Sequence, residues 1–225
     1  MADVETPQEA VQPDQYLLIG GWAQSRLALQ PLQQAFAVDH QVSLMTLEKP
    51  EVDLQRQLAS AVMNYSGKTM LVAWSLGGLL ALRTICAATS LIDASALQPK
   101  LKGIGLIACN PCFVGDDDWP GVGRSLFNQF ADDLELDPIK MLDRFTKLQC
   151  LGDPQYKQVV RTLMPALAES QQWSLSLLKC SLDWLRKWDC RYLLNQQARI
   201  TFFFGANDRL IPAQLAGVVA KQFAQ

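Results

Sequence analysis

One ten-residue segment limits what this chain can become more than any other: Leu71-Val72-Ala73-Trp74-Ser75-Leu76-Gly77-Gly78-Leu79-Leu80. It reads as a buried strand, a sharp turn and the first turns of a helix, and it matches G-x-S-x-G with Ala73 in the first glycine position. Small residues are required there because the turn brings the new helix against the strand, where a larger side chain would clash. Such a turn lifts the serine hydroxyl above the carboxyl end of a sheet with a helix N-terminus behind it, where negative charge is stabilised. Ser75 is therefore the candidate nucleophile, and the amide of Leu76 a candidate donor to an oxyanion.

The rest of the chain supplies a matching frame. Apolar runs rich in Val, Ile, Leu and Phe occur at Tyr16 to Ile19, Gln41 to Leu47, Thr69 to Trp74, Gly103 to Ala108 and Arg199 to Phe204, without strict alternation, as in parallel strands buried on both faces. The amphipathic stretches Leu27 to Phe36 and Leu54 to Met63 lie between them, giving the rhythm of βαβ crossovers. The expected fold class is α/β, a doubly wound parallel sheet. From Asp116 to Asp189 helix-period segments replace strands, which predicts an inserted helical lid; within it Leu175, Leu178, Leu182 and Leu185 are spaced to form one inward stripe. The domain reading is a leader at 1–14, a core at 15–115 and 190–225, and a lid at 116–189.

Composition excludes more than it assigns. Twenty Lys and Arg against 22 Asp and Glu leave no global field for nucleic acid or a membrane surface. The apolar run Met70 to Leu82 is too short for the roughly 20 residues that cross a bilayer. Residues 1–14 are polar and lack the apolar stretch of a signal peptide. A cytoplasmic monomer is expected, with the six cysteines as reduced thiols. Cys109-Asn110-Pro111-Cys112 has the CxxC spacing, but it enters a proline-containing loop and has neither a second pair nor a suitable histidine, so it reads as packed thiols without metal. No cofactor is expected.

Two further segments complete the candidate site. Leu17-Leu18-Ile19-Gly20-Gly21-Trp22 is a strand ending in glycines at the same sheet edge, and the amide of Trp22 is the second candidate oxyanion donor. In Phe204-Gly205-Ala206-Asn207-Asp208 an aspartate follows the last strand, where a triad acid belongs in chain order after Ser75; it would hold an imidazole in the right tautomer. The sequence contains one histidine, His40, ahead of the second strand and so at the amino end of the sheet, remote from Ser75; it reads as a surface turn residue. The 225 residues end in or just after the helix following Asp208. Either the sequence is a shortened chain lacking a last strand and histidine loop, or the protein works without an ordinary base.

Together these segments resemble the pimeloyl-[acyl-carrier protein] methyl ester esterases of biotin synthesis, carboxylesterases of the α/β-hydrolase superfamily. The resemblance runs from about Tyr16 to Gln225 and rests on Gly21-Trp22, Trp74-Ser75-Leu76-Gly77-Gly78-Leu79, Pro111-Cys112-Phe113 with Asp118-Trp119-Pro120-Gly121, Arg144-Phe145 with Leu148-Gln149, and Gly205 with Asp208 and Pro212. It implies an α/β-hydrolase-like sheet with a helical lid, Ser75 as nucleophile, Asp208 as acid, and an acyl carrier protein carrying the substrate. The chain departs from the family at Gly20, where a histidine is usual, and in lacking the catalytic histidine. A non-catalytic carrier-binding relative and a hydrolase of other small esters are the alternatives.

Charge along the lid fits an acidic carrier. From Asp116 to Asp137 there are seven acids and one Arg, whereas Pro138 to Asp189 holds eight Lys or Arg against five acids. Lys140, Arg144 and Lys147, and likewise Lys157 and Arg161, each fall on one helix face. Lys140, Arg144, Lys157 and Arg161 are the candidate carrier-binding residues, with Met141, Leu142, Phe145 and Leu148 on the opposite, apolar side.

Overall fold

In the segment that sets the architecture, alternate residues of each strand enter different cores. Leu17, Ile19, Leu71, Ala73, Ile104 and Leu106 pack in one apolar cluster, while Leu18 and Val72 point into another with Leu29. A strand buried on both faces needs an unbroken apolar run, which explains why these strands show no alternation in sequence.

The structure is a computed structural model that describes residues 15–87, 92–195 and 199–223. The leader at 1–14 lies outside the described residues. Five strands, β1 (Gln15–Ile19), β2 (Gln41–Met45), β3 (Thr69–Trp74), β4 (Leu101–Ile107) and β5 (Ile200–Phe203), form one sheet of order β2-β1-β3-β4-β5. Every pairing is parallel. The ends of β1 and β3 are aligned, Ile19 opposite Ala73, and Trp74 stands opposite Ile107 of β4, so the loops leaving these three strands meet at one edge. Parallel strands require crossover helices. Among the described residues these are α1 (Arg26–Phe36), α2 (Glu51–Met63), α3 (Leu76–Cys86) and the short α4 (Ala94–Leu97).

Between β4 and β5 the chain forms four further helices, α5 (Arg124–Leu136), α6 (Pro138–Gln149), α7 (Tyr156–Ser170) and α8 (Leu175–Lys187). Local chemistry sets their starts. Asp137 caps α6 by accepting from the Lys140 amide, with Pro138 in the first turn, and Ser174 caps α8 by accepting from the Leu177 amide. Leu178, Leu182 and Leu185 are buried as the stripe predicts, but Leu175 is 37% exposed. It is the first residue of α8, ahead of the turn that meets the core. The stretch from Asp116 to Gly123 is an irregular loop held by Asn110, whose Oδ1 accepts from Trp119 Nε1 at 2.7 Å and whose Nδ2 donates to the Pro120 carbonyl at 2.9 Å. That network ties the Asp-Trp-Pro-Gly segment to the loop after β4. A last helix, α9 (Gln214–Phe223), covers the β5 side with Leu215 and Val219.

Where α3 leaves β3, the approach of backbones is closest. A Cβ on Gly77 would collide with the carbonyl oxygen of Gly20 and lie 2.9 Å from that of Ile19, whereas a Cβ on Gly217, in α9, would meet nothing within 4 Å. Gly77→Ala is accordingly expected to lower stability by about 1–3 kcal/mol, and Gly217→Ala to raise it by about 0.5–1 kcal/mol. Chemical denaturation of the two variants checks this; a neutral Gly77→Ala would contradict the close approach.

Candidate active site

Ser75 occupies the tip of the turn with φ 53° and ψ −120°, a left-handed conformation that costs a non-glycine residue of order 1–3 kcal/mol. It is held from both sides. Its amide donates to the Ile107 carbonyl of β4 at 2.9 Å, and its carbonyl accepts from the Gly78 amide at 2.9 Å. Gly78 has no room for a side chain either, since a Cβ there would sit 2.6 Å from Cys109 Sγ. The other two non-glycine residues of positive φ among the described residues are Ala23, after β1, and Ala108, after β4. All three strained positions follow the carboxyl ends of neighbouring strands, where backbone strain marks a built site.

These loops floor a cavity of about 340 Å³ whose walls include Ser75, Trp22, Trp74 and Ala108 from the sheet edge, Phe127, Phe130, Phe145 and Leu148 from α5 and α6, and Asp208 after β5. The volume lies in the range of small-molecule sites. Trp22 joins the sheet edge to the helices above. Its ring meets Phe145 and Phe130 edge-on at 5.1 and 5.6 Å, and its Nε1 donates to the Leu178 carbonyl of α8 at 3.0 Å. Gln24, two residues on, donates from Nε2 to Gln149 Oε1 of α6 at 3.1 Å. One short turn after β1 therefore holds two helices of the insertion over Ser75.

The four candidate catalytic residues meet here in different ways. Ser75, Trp22 and Asp208 line the same cavity. Leu76 is the first, fully buried residue of α3, so its amide belongs to the turn whose N–H groups have no intrahelical acceptor. A Cβ on Gly21 would lie 3.2 Å from Ser75 Cβ, which brings the Gly20–Trp22 turn against the serine. Asp208 accepts the amides of Leu210 and Ile211 on Oδ1, at 2.8 and 3.0 Å. Its Oδ2 has no hydrogen bond among the described residues.

His40 precedes β2 at the opposite end of the sheet and is half-buried rather than a bare surface residue. Its ring lies 4.8 Å from that of Tyr16, which stacks on Phe36. Of the candidate carrier-binding residues, Arg144 reaches the cavity mouth and pairs with Asp133 at 3.1 Å; Lys140, also on α6, and Lys157 and Arg161, on α7, are exposed away from it. The six cysteines are free. Burial, together with the neighbouring Cys190, pushes the Cys109 thiol far up, and burial pushes Cys190 to about 12, so both stay protonated near neutral pH. Neither the Gln24–Gln149 bridge nor Asp133 or Arg209 is among the cavity residues expected from the sequence; the bridge spans 125 positions and leaves no mark on local pattern.

Solved structures that share this fold include esterases and a bromoperoxidase. An esterase from Exiguobacterium antarcticum superposes with a TM-score of 0.74 at 15% identity, covering 95% of this chain and 82% of that one. A bromoperoxidase from Bacillus anthracis gives 0.75 at 18%, covering 92% and 79%. The fold is that of the α/β-hydrolases. Among curated proteins, the pimeloyl-[acyl-carrier protein] methyl ester esterase of Xanthomonas campestris pv. campestris (strain B100) is 32% identical over 207 residues, 88% of this chain and 78% of the relative. That of Xylella fastidiosa (strain M23) is 30% identical over 216 residues, 91% and 81%. No family model matches. The chain belongs to the pimeloyl-[acyl-carrier protein] methyl ester esterase family.

The sole histidine of the 225 residues sits at the far sheet edge, and a serine hydroxyl without a base stays protonated near pH 7. A fluorophosphonate probe is expected to label Ser75 slowly or not at all in these 225 residues. Rapid labelling that Ser75→Ala removes would show that another group takes the proton.

Proposed function

We propose that the chain is a cytoplasmic, monomeric serine carboxylesterase whose substrate is a pimeloyl-[acyl-carrier protein] methyl ester of biotin synthesis. The observation that carries this reading is Ser75, strained at the elbow, on the floor of an aromatic cavity that Asp208 also lines. In the reaction Ser75 Oγ attacks the ester carbonyl carbon. The oxygen that becomes negative is received by the amides of Trp22 and Leu76. The carbon–methoxy bond breaks, methanol leaves with the proton taken from Ser75, and water then attacks the acyl-serine to give the free acid and restore the hydroxyl.

Asp208 suits the acid role because the amides of Leu210 and Ile211 fix one carboxylate oxygen while the other stays available to an imidazole N–H. The proton carrier between Ser75 and Asp208 is the one part that these residues do not supply. The aromatic walls, Phe127, Phe130 and Phe145, suit the methylenes of a medium-length acyl chain by apolar burial. His40's place at the remote edge favours one other reading, a carrier-protein binder that holds the ester without turning it over.

Lys140, Arg144, Lys157 and Arg161 are assigned to the carrier. Lys157 and Arg161 test this most cleanly, since both are exposed, lie off the cavity and make no ion pair among the described residues. Exposed charges act on encounter and are screened by salt. Titration of Lys157→Glu/Arg161→Glu with a pimeloyl-loaded acidic carrier is expected to show affinity reduced by up to about fivefold per charge at low ionic strength. The loss should fade at high salt, and binding of a free methyl ester should be unaltered. Unchanged carrier affinity would overturn the carrier assignment and favour a hydrolase of small esters.

A further inference from the structure

Four charged side chains line the Ser75 cavity, and three of them have partners. Asp133 and Arg144 hold each other at 3.1 Å, and Asp208 is fixed by two backbone amides. The fourth, Arg209, is exposed and makes no ion pair or side-chain hydrogen bond with any described residue. Its place is fixed nonetheless. Residues 208–211 form one continuous piece of wall, and the Asp208 side chain pins their backbone from within.

We infer that Arg209 is the anion-recognising residue of this cavity, binding a carboxylate or phosphate of the molecule whose ester group lies at Ser75. Three observations point the same way. The guanidinium carries a rigid fork of donors matched to planar or tetrahedral oxyanions, and among the described residues nothing occupies that fork. The remaining lining is largely aromatic and aliphatic, which suits the chain of such a ligand; its polar members, Ser75, Gln24, Gln129 and Gln149, are neutral and bring no charge to meet an anion. The other cation in the wall, Arg144, has its charge answered by Asp133. With Asp208 reserved to orient a base, a ligand anion approaching the site would meet one negative carboxylate, and Arg209 beside it offsets that charge. The ligand class is an ester with a negative group further along the molecule, either the half-ester of a dicarboxylic acid or an ester chain on a phosphopantetheine arm.

The inference rests on the reading of the cavity as an ester site, and the experiment separates the two. The 225-residue chain is titrated, with indole fluorescence as the readout since Trp22 and Trp74 both line the cavity, and no turnover is needed. The probes are the monomethyl ester of a straight seven-carbon dicarboxylic acid, the same ester as a phosphopantetheine thioester, and the neutral dimethyl ester. Wild type is expected to bind the better of the two anionic probes about fivefold tighter than the neutral one at low salt, the upper end for an exposed ion pair. Arg209→Gln is expected to erase that preference while leaving the neutral ester's affinity within about twofold, and Arg209→Lys to restore part of it. Preference for the carboxylate probe assigns Arg209 to a free half-acid, and preference for the phosphate probe assigns it to the carrier arm. An anion preference that survives Arg209→Gln, or none in wild type, overturns the inference. A neutral ester that fails to bind while Arg209-dependent anion binding persists would sink the ester reading and leave the anion site standing.

Discussion

The first turn of α3 approaches the carbonyls of Ile19 and Gly20 so closely that position 77 has no room for a Cβ, and position 78 is equally closed by Cys109. The location of Ser75 depends on that approach. Three strand ends are drawn together by it: β1 through Gly20, β3 through Ser75 itself, and β4 through Ile107, whose carbonyl accepts the Ser75 amide. Backbone strain at Ala23, Ser75 and Ala108 is the cost, and buried apolar packing on both faces of the sheet sustains it.

The same edge carries the insertion. Trp22 and Gln24 each send one hydrogen bond upward, to α8 and α6, from a turn whose middle residue, Ala23, has a positive φ. Lower down, Arg191 joins the end of the insertion to its beginning by pairing with Asp189 and Asp116 and lying 5.5 Å from the Trp119 ring. The helices are thus fastened near the serine and at their root. Between the fastenings the helices meet the sheet edge through both rings and aliphatic side chains, Phe130 and Phe145 against Trp22 and Leu182 and Leu185 in the cavity wall.

Much of this was legible because its signals are local. Strand, small residues, serine and helix follow one another within ten positions, so β3 and the elbow could be placed residue by residue. Boundaries set by pairing were less so: β2 stops at Met45 rather than Leu47 because its partner β1 ends at Ile19, opposite Met45. Helix faces were readable except at their ends, where Leu175 falls outside the packed turn. What could not be read was which residues from distant helices share the cavity. Gln24 with Gln149, Asp133 with Arg144, and the wall formed by residues 208–211 facing α5 and α6 are products of tertiary closure, and polar residues carry no periodicity that would announce it. The proposed substrate class comes from the family resemblance alone, since no spacing in the chain could supply it.

On the proposed reading, the strained elbow aims Ser75 at an ester whose carbonyl oxygen is received by the amides of Trp22 and Leu76. A crystal structure of the chain soaked with a medium-length methyl ester would show whether this is so. The carbonyl oxygen is expected roughly 3 Å from both amide nitrogens, with the carbonyl carbon facing Ser75 Oγ. An ester bound with its carbonyl turned away from those amides, or outside the cavity altogether, would contradict it.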